Sequence, residues 1–207
     1  MATATATLTN PTMAESLKST IKQAFQQCDG ERGPAYLEAV SKIVSKYRYT
    51  EVDLDCLVGA KLTFGPVEDT EYKDRPAVVD AWEMFYLPKT TEMEVIGYVE
   101  GTPYPCDQLV LMICGDHKVY GFDGDELHLV ASSPIQVLDT GIADPALQSY
   151  YHGETFEDMT TEDWEKVELS PEGKRLEEEH RKLVASHKST LLKNLKIIQE
   201  RQSLACI

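Results

Sequence analysis

The sequence predicts an α+β fold in which N-terminal helices pack on a mainly antiparallel sheet and a long helix follows at the C-terminal end. Three observations predict it. Apolar residues recur with a helical period in the first fifty positions, short aromatic and β-branched segments occupy the middle of the chain, and residues 173–201 return to helical spacing. The chain has 207 residues, 42% of them hydrophobic, which fits one domain with appendages and a sheet of roughly four to six strands.

The N-terminal region predicts a short tail and two helices. Residues 1–13 have low complexity and are expected to be disordered. Asp29-Gly30 ends the first helix and Gly33-Pro34 begins the second, because proline suits a first helical turn. The first helix has its apolar stripe at Leu17, Ile21, Ala24, Phe25 and Cys28, and the second at Leu37, Val40, Ile43, Val44 and Tyr47. A third apolar segment runs from Val52 to Val58. It could be a helix, and Thr50 would then be its N-terminal cap.

The middle of the chain predicts strands. Leu109 to Cys114 is a continuous apolar run, which suits a strand buried on both faces. Asp123-Gly124 predicts a two-residue hairpin turn, whose geometry requires positive φ at both positions. Ile135 to Leu138 predicts a short helix that ends at Gly141. The five predicted strands are Ala81–Leu87, Glu94–Val99, Leu109–Cys114, Val119–Phe122 and Leu127–Ala131. We place the α+β domain at residues 14–142.

An acidic segment follows the domain. Residues 139–172 contain ten acidic side chains and one lysine, a balance of −9. We expect its few apolar side chains to attach the segment to the domain and not to form a second core. We therefore interpret residues 143–172 as an acidic loop that wraps the domain.

Residues 173–201 predict the clearest helix, with glutamates at its start and lysines near its end, an order that complements the helix dipole. One face is apolar, and we expect it to be an interaction face. That face contains Leu183, Val184, His187, Leu191, Leu195 and Ile198. His180 lies on the same face, about 10.5 Å from His187 along the axis, which is too far for both to ligate one zinc easily. The pair is either a pH switch or part of a helix–helix contact.

The composition limits the class of partner. Asp and Glu number 35 against 20 Lys and Arg, so the formal charge is −15. A chain this acidic is not expected to bind nucleic acid or an anionic membrane. Met1 to Asn10 lacks the charge and apolar core of a secretory signal, and the five cysteines form no close pair. We expect a soluble protein with reduced thiols in the cytoplasm or the nucleus.

No familiar catalytic or metal motif occurs in the sequence. The histidines and cysteines lack zinc spacing, the acidic residues around Asp123 lack the order of a calcium loop, and no nucleotide-binding glycine motif is found. Cys114 and His117 are close in sequence, but a small core cysteine is the simpler interpretation. We expect no catalytic residue, no metal and no cofactor. Ser133-Pro134 and Ser170-Pro171 are either helix caps or phosphorylation sites.

Residues 109–142 resemble the C-terminal half of the SMI1/KNR4 (SUKH) superfamily, which includes the US22-like proteins. The resemblance rests on a buried strand, the segment Lys118–Asp123, a strand that leads into Ser132-Ser133, a short helix and Gly141-Ile142. It implies an α+β scaffold that recognises other proteins and has no catalytic residues.

We therefore expect a non-catalytic, regulatory protein whose partner is another protein or a second copy of the same chain. The alternative is a small-molecule binder or hydrolase with a pocket between the sheet and the helices. That pocket would be lined by Trp82, Tyr98, Tyr104 and Tyr120. A large apolar pocket would favour the alternative, and a filled sheet face would favour the scaffold.

Overall fold

Seven strands form one antiparallel sheet and follow one another across it in the order in which they occur in the chain. The computed structural model describes residues 11–54, 57–157 and 159–204, without the side chains of 11–13, 172, 189–191, 196, 197 and 199–204. Most of the tail predicted at residues 1–13 therefore lies outside the described residues. The strands are β1 (Glu51–Asp53), β2 (Lys61–Phe64), β3 (Met93–Glu100), β4 (Leu109–Cys114), β5 (Val119–Phe122), β6 (Leu127–Ala131) and β7 (Gln148–Tyr150).

Helices precede the first strand, occur between strands and follow the last strand along the chain. This mixture confirms the predicted α+β class. They are α1 (Pro11–Gln27), α2 (Gly33–Lys46), α3 (Pro76–Phe85), α4 (Pro134–Thr140), α5 (Thr161–Leu169) and α6 (Pro171–Leu204). Two short 3-10 turns occur at Val67–Asp69 and Glu154–Phe156. None of the helices in the described ranges is long and apolar enough to cross a membrane.

Strand β4 is the centre of the core and is buried along its whole length, as its apolar run predicts. Successive side chains of a strand point to opposite faces of the sheet. Leu109, Leu111 and Ile113 therefore join one hydrophobic cluster, while Val110, Met112 and Cys114 join another. The sheet consequently has two buried faces.

Different helices cover the two faces. The first face lies against α2, and its cluster includes residues of α1, α2 and α4. The second face is aromatic: the rings of Trp82 from α3 and Phe122 from β5 lie 5.3 Å apart, and Tyr72 contacts both rings edge-on. Both faces are filled by large side chains, which leaves little room for a ligand between sheet and helices.

Gly97 allows β2 and β3 to approach each other closely. It lies at a register shift in β3, with a φ of +149°. A Cβ atom at this position would lie 2.0 Å from the carbonyl oxygen of Thr63 in β2. Only glycine fits here without a backbone movement.

Three local predictions were wrong. Ala81–Leu87 is not a strand but belongs mainly to helix α3, whose start at Pro76 precedes the aromatic run that suggested a strand. Val52 lies in strand β1 and not in a capped helix, because pairing with Leu62 of β2 overrides the local signal. Asp123 is not among the residues with positive φ, so the turn after β5 lacks the predicted geometry.

The sheet also has seven strands instead of four to six, because β1, β2 and β7 have three or four residues each and leave little sequence signal. Segment 143–172 contains β7 and α5. The chain divides into two compact units, one up to Asp158 and one from Met159 onwards. In the first unit, Ser133 caps α4 by accepting a hydrogen bond from the backbone N–H of Gln136 at 3.1 Å, the capping role considered for it.

Candidate functional site

The second unit consists of helices α5 and α6, which pack against each other. Thr160 and Asp163 form a capping box at the start of α5. Ser170 then begins α6, where its hydroxyl accepts a hydrogen bond from the backbone N–H of Gly173 at 2.9 Å. The Ser-Pro pair at this position therefore serves as a helix start.

The predicted interaction face of α6 is exposed. We call its apolar residues the α6 stripe. The described side chains of the stripe are 46–58% exposed: Leu176, Leu183, Val184, Leu195 and Ile198. His180 and His187, on the same face, are exposed too. The side chain of Leu191 lies outside the described residues. Leu192 is equally exposed at 50%, but it lies outside the stripe, about 120° around the helix from Ile198 in the middle of the stripe.

The charged residues of α6 pair along the helix. Lys182 lies 2.9 Å from Glu178, one turn before it, and Arg181 lies 3.5 Å from Glu177. Such exposed pairs at this spacing contribute only about 0.3–0.5 kcal/mol each. Charge therefore supports the helix, while the stripe has apolar surface that its own unit does not cover.

An open groove lies between α5 and the first half of α6. Its volume is about 980 Å³. Trp164, Val167 and Leu169 line it from α5 and its end, while Leu176 and His180 line it from α6. Leu176 belongs to both the α6 stripe and the groove, so the two surfaces adjoin each other.

The four aromatic residues proposed as a pocket do not lie together. Trp82 and Tyr120 are buried in the cluster of the second face, and Tyr98 packs against that cluster. Tyr104 packs against the cluster of the first face and donates a hydrogen bond to the carbonyl oxygen of Ala143 at 2.9 Å. The sheet separates Tyr104 from the other three.

A small cleft of about 250 Å³ opens beside Tyr120. Lys118 and Tyr150 also line it, and Lys118 pairs with Asp116 at 2.8 Å. Burial raises the pKa of the Tyr120 hydroxyl well above its usual range. The cleft is smaller than the 300–1,000 Å³ typical of small-molecule sites.

A buried histidine network joins the hairpin after β5 to strand β7. Nε2 of His128 lies 3.0 Å from Oδ2 of Asp123, and its Nδ1 lies 2.7 Å from the hydroxyl of Ser149. Histidine and aspartate are buried, while Ser149 is exposed. A hydroxyl, an imidazole and a carboxylate in this order form the arrangement that activates a serine nucleophile.

The Asp123 carboxylate also holds the turn. Its Oδ1 accepts hydrogen bonds from the backbone N–H groups of Asp125 and Glu126 at 3.0 and 2.8 Å. Burial alone would raise the pKa of Asp123, but the hydrogen bonds from His128 and from these two N–H groups outweigh it and hold the pKa below its usual range. This network has no signature in the sequence, because β7, which contributes Ser149, has no recognisable strand pattern.

His117 forms a second buried network. It has a left-handed backbone with φ of 75° and is 5% exposed. Its ring stacks on Tyr36 and lies 3.1 Å from a carboxylate oxygen of Asp29 and 2.9 Å from the carbonyl oxygen of Glu31. The network ties the loop between α1 and α2 to the turn between β4 and β5.

Cys114 is not an activated thiol. His117 bonds to Asp29 and Glu31, so its ring does not serve the cysteine. Burial, with a smaller contribution from Asp116, raises the pKa of Cys114 to about 12. Only a thiolate is a strong nucleophile, so this cysteine acts as a core residue. Among the residues that the structure describes, no three His, Cys, Asp or Glu side chains are grouped so that they could hold a metal ion.

Comparison with known proteins identifies relatives in viruses. The chain is 27% identical over 127 residues to "Uncharacterized gene 87 protein" of Gallid herpesvirus 2, covering 60% of this chain and 71% of that protein. It is 27% identical over 135 residues to "Uncharacterized protein 005R" of Frog virus 3, covering 64% of this chain and 65% of that protein. It is 25% identical over 104 residues to "Uncharacterized protein FPV250" of Fowlpox virus, covering 50% of this chain and 71% of that protein.

No solved structure matches the chain. The family model described as US22 like matches residues 34–143, more than half of the chain and the part that runs from α2 to the residues after α4. The resemblance found at residues 109–142 is thereby confirmed and extended towards the N-terminus. The chain belongs to the US22-like family.

Proposed function

We propose that the chain is a non-catalytic protein-interaction protein, in which the α+β unit is a rigid scaffold and the α6 stripe binds a partner protein. The observation that carries the proposal is the exposure of five apolar side chains along one face of a 34-residue helix. Exposed apolar surface of this extent is typical of interaction sites.

The two filled faces of the sheet support the same proposal. A ligand-binding or catalytic protein of this size usually keeps a cavity between its layers, whereas here aromatic and aliphatic side chains occupy both faces. The function would then be regulatory and exerted through the bound protein, in the cytoplasm or the nucleus.

The test compares two glutamate substitutions on the same helix. Leu195→Glu places a charge on the stripe, and Leu192→Glu places the same charge at an equally exposed position off the stripe. Circular dichroism first establishes that both variants keep the helix. Proteins captured from cell lysate by the unaltered chain should be lost with Leu195→Glu and retained with Leu192→Glu. Equal capture by all three chains would contradict the proposal.

A second candidate function is acyl transfer at Ser149, favoured by the spacing of Asp123, His128 and Ser149. The Ser149 hydroxyl would attack the carbonyl carbon of an activated ester, and Nδ1 of His128 would take its proton and pass it to the leaving alcohol. A hydrogen bond to Asp123 holds the ring in the orientation that this step requires. The same contacts also join β6 to β7, so a structural role accounts for them equally.

A fluorophosphonate probe separates these two roles. An activated serine should be labelled at Ser149, found by mass spectrometry of the labelled peptide, and labelling should be lost in His128→Ala. Ser132, an exposed serine whose hydroxyl donates to Gln136, is the internal control. The absence of label on Ser149 would leave the network with its structural role only.

A further inference from the structure

The small cleft beside Tyr120 is bounded by elements that contacts within the chain hold in place. Tyr120 lies in β5 and Tyr150 in β7, and the centres of their rings are 6.2 Å apart. The loop after α3 contributes Lys89 and Thr91 to the lining. The backbone N–H of Thr91 donates to the carbonyl oxygen of Glu83 at 3.1 Å, and its hydroxyl donates to the carbonyl oxygen of Lys89 at 2.8 Å. The sheet and a tied loop therefore form the walls of the cleft.

Two tyrosine hydroxyl groups at the cleft have no partner within the part of the chain that the structure describes. Tyr120 is 4% exposed and Tyr150 is 8% exposed, and both line the cleft. No hydrogen bond joins either hydroxyl to a described residue. The large majority of buried polar side-chain atoms in proteins are hydrogen-bonded. The partner of these two hydroxyls therefore has to enter the cleft from outside the chain.

The lining of the cleft is rich in hydrogen-bond donors. Burial raises the pKa of Tyr120 well above its usual range, and burial raises the pKa of Tyr150 against the opposing effect of Lys118. Both phenols are therefore protonated at neutral pH and able to donate. The charged groups of the lining are the ammonium groups of Lys89 and Lys118 and one carboxylate, that of Asp116. This lining is net positive, although the chain has a formal charge of −15.

We infer that the cleft binds a small oxyanion, the carboxylate or phosphate group of a ligand, through the hydroxyls of Tyr120 and Tyr150 and the ammonium group of Lys118. An ionised carboxylate offers acceptors only, which matches a lining of donors. Hydrogen bonds to an ionised group are roughly twice as strong as those between neutral groups. Water would also satisfy the two hydroxyls, but an anion gains from the lysine charges as well. The volume of about 250 Å³ suits a small group of this kind.

Asp116 competes with such an anion for Lys118. Its Oδ2 lies 2.8 Å from Nζ of Lys118, and its Oδ1 accepts a hydrogen bond from the backbone N–H of Lys118 at 3.3 Å. Both side chains are about half exposed, at 48% for Lys118 and 52% for Asp116. An exposed pair of this kind is weak, so an incoming oxyanion is able to replace the carboxylate as the partner of the ammonium group. Removal of the Asp116 charge should therefore strengthen anion binding.

Thermal unfolding in sodium phosphate and in sodium acetate tests the site, with sodium chloride of equal ionic strength as the reference. A ligand that binds only the folded chain raises the Tm, and comparison between variants removes the general effect of the salt. The double variant Tyr120→Phe and Tyr150→Phe keeps both rings and should lower the affinity at least about tenfold. Tyr98→Phe is the matched control, because Tyr98 packs against the same cluster but does not line the cleft.

The same variants separate binding from a structural role. In sodium chloride, the double variant should be as stable as the unaltered chain, because the lost hydroxyls have no partner within it. A less stable double variant would show that the hydroxyls serve the fold and would overturn the site. An equal rise of the Tm in the unaltered chain and the double variant would overturn it too, as would the absence of any rise in both salts.

Two charge variants should have opposite effects on the affinity. Lys118→Gln should weaken anion binding, and Asp116→Asn should strengthen it several-fold, a gain that a damaged fold does not produce. Weaker binding with Asp116→Asn would contradict the assignment. A rise with phosphate alone identifies a phosphate site, and a rise with acetate alone identifies a carboxylate site. None of these substitutions alters the α6 stripe, so the capture experiment tests the proposed function separately.

Discussion

The backbone N–H of Gly33 donates a hydrogen bond to the carbonyl oxygen of Gly115 at 3.0 Å. This contact joins the start of α2 to the turn between β4 and β5. A Cβ atom on Gly115 would lie 2.6 Å from the Cα atom of Gly33, so the two backbones touch. The nearby ring of His117 bonds to Asp29 and Glu31, so this corner is held by backbone and side chain together.

Gly115→Ala should lower the free energy of unfolding by about 1–3 kcal/mol, the usual cost of inserting an extra group where neighbours cannot retreat. Urea denaturation measures the change. Gly30→Ala is the matched control, because no atom lies within 4 Å of a Cβ at that position. If both variants unfold at the same urea concentration, the close approach of Gly33 and Gly115 does not exist in the protein.

His117→Ala should destabilise the fold by about 1–3 kcal/mol. The change removes a hydrogen bond of the ring, worth about 0.5–1.5 kcal/mol, and its stacking on Tyr36, worth about 0.5–1.5 kcal/mol. The backbone of residue 117 stays in the left-handed conformation, which histidine and asparagine adopt more readily than alanine. His117→Asn keeps a residue that tolerates this conformation, so it should be the milder variant. Thermal unfolding ranks the two, and a milder effect of alanine would contradict the assigned strain.

Asp123 should make the unfolding free energy depend on pH in the acid range. Its pKa is lower in the folded protein than the value of about 3.9 in an unfolded chain. The unfolded chain therefore binds more protons, and the stabilisation is complete above that value and is lost as the pH falls through the folded pKa. Asp123→Asn should flatten this dependence, as measured by urea denaturation between pH 7 and pH 2.5.

Asp125→Asn is the control for Asp123→Asn. Asp125 is exposed, on the same turn, and only its backbone N–H takes part in the network. Its pH dependence should remain close to that of the unaltered chain. A flattened curve in this control, or an unaltered curve in Asp123→Asn, would remove Asp123 from its assigned role.

Cys114 should resist alkylation in the folded protein. With a pKa of about 12, the thiolate is on the order of one part in ten thousand at pH 8, and the side chain is also buried. Iodoacetamide at pH 8 should modify Cys114 only after unfolding, whereas the partly exposed Cys106 should react sooner. Peptide mass spectrometry over time measures both, and rapid modification of Cys114 would contradict its burial.

The strongest sequence patterns predicted their elements well, and the weak ones did not. Leu109–Cys114, Val119–Phe122 and Leu127–Ala131 have the predicted bounds, because each combines β-branched or aromatic residues with clear turns. α3 was mistaken for a strand because aromatic residues signal strands locally, while Pro76 and packing on the sheet favour a helix. The short strands β1, β2 and β7 depend on their neighbours and have no strong local pattern.

The candidate sites differ in the same way. The sequence alone predicts which residues form the α6 stripe, because helical periodicity places residues three, four and seven positions apart on one face. Its side chains at 183, 184, 195 and 198 are exposed. The network of Asp123, His128 and Ser149 could not be predicted from the sequence, since it depends on the pairing of His128 in β6 with Ser149 in β7. Neither residue carries a motif, and only the sheet brings them together.

Strands β1 and β7 at the two margins of the sheet are three residues long each. A margin this short offers few unpaired N–H and C=O groups, which disfavours the addition of a strand from another chain. The short outer strands therefore reduce the tendency of the sheet to stack edge to edge at high concentration.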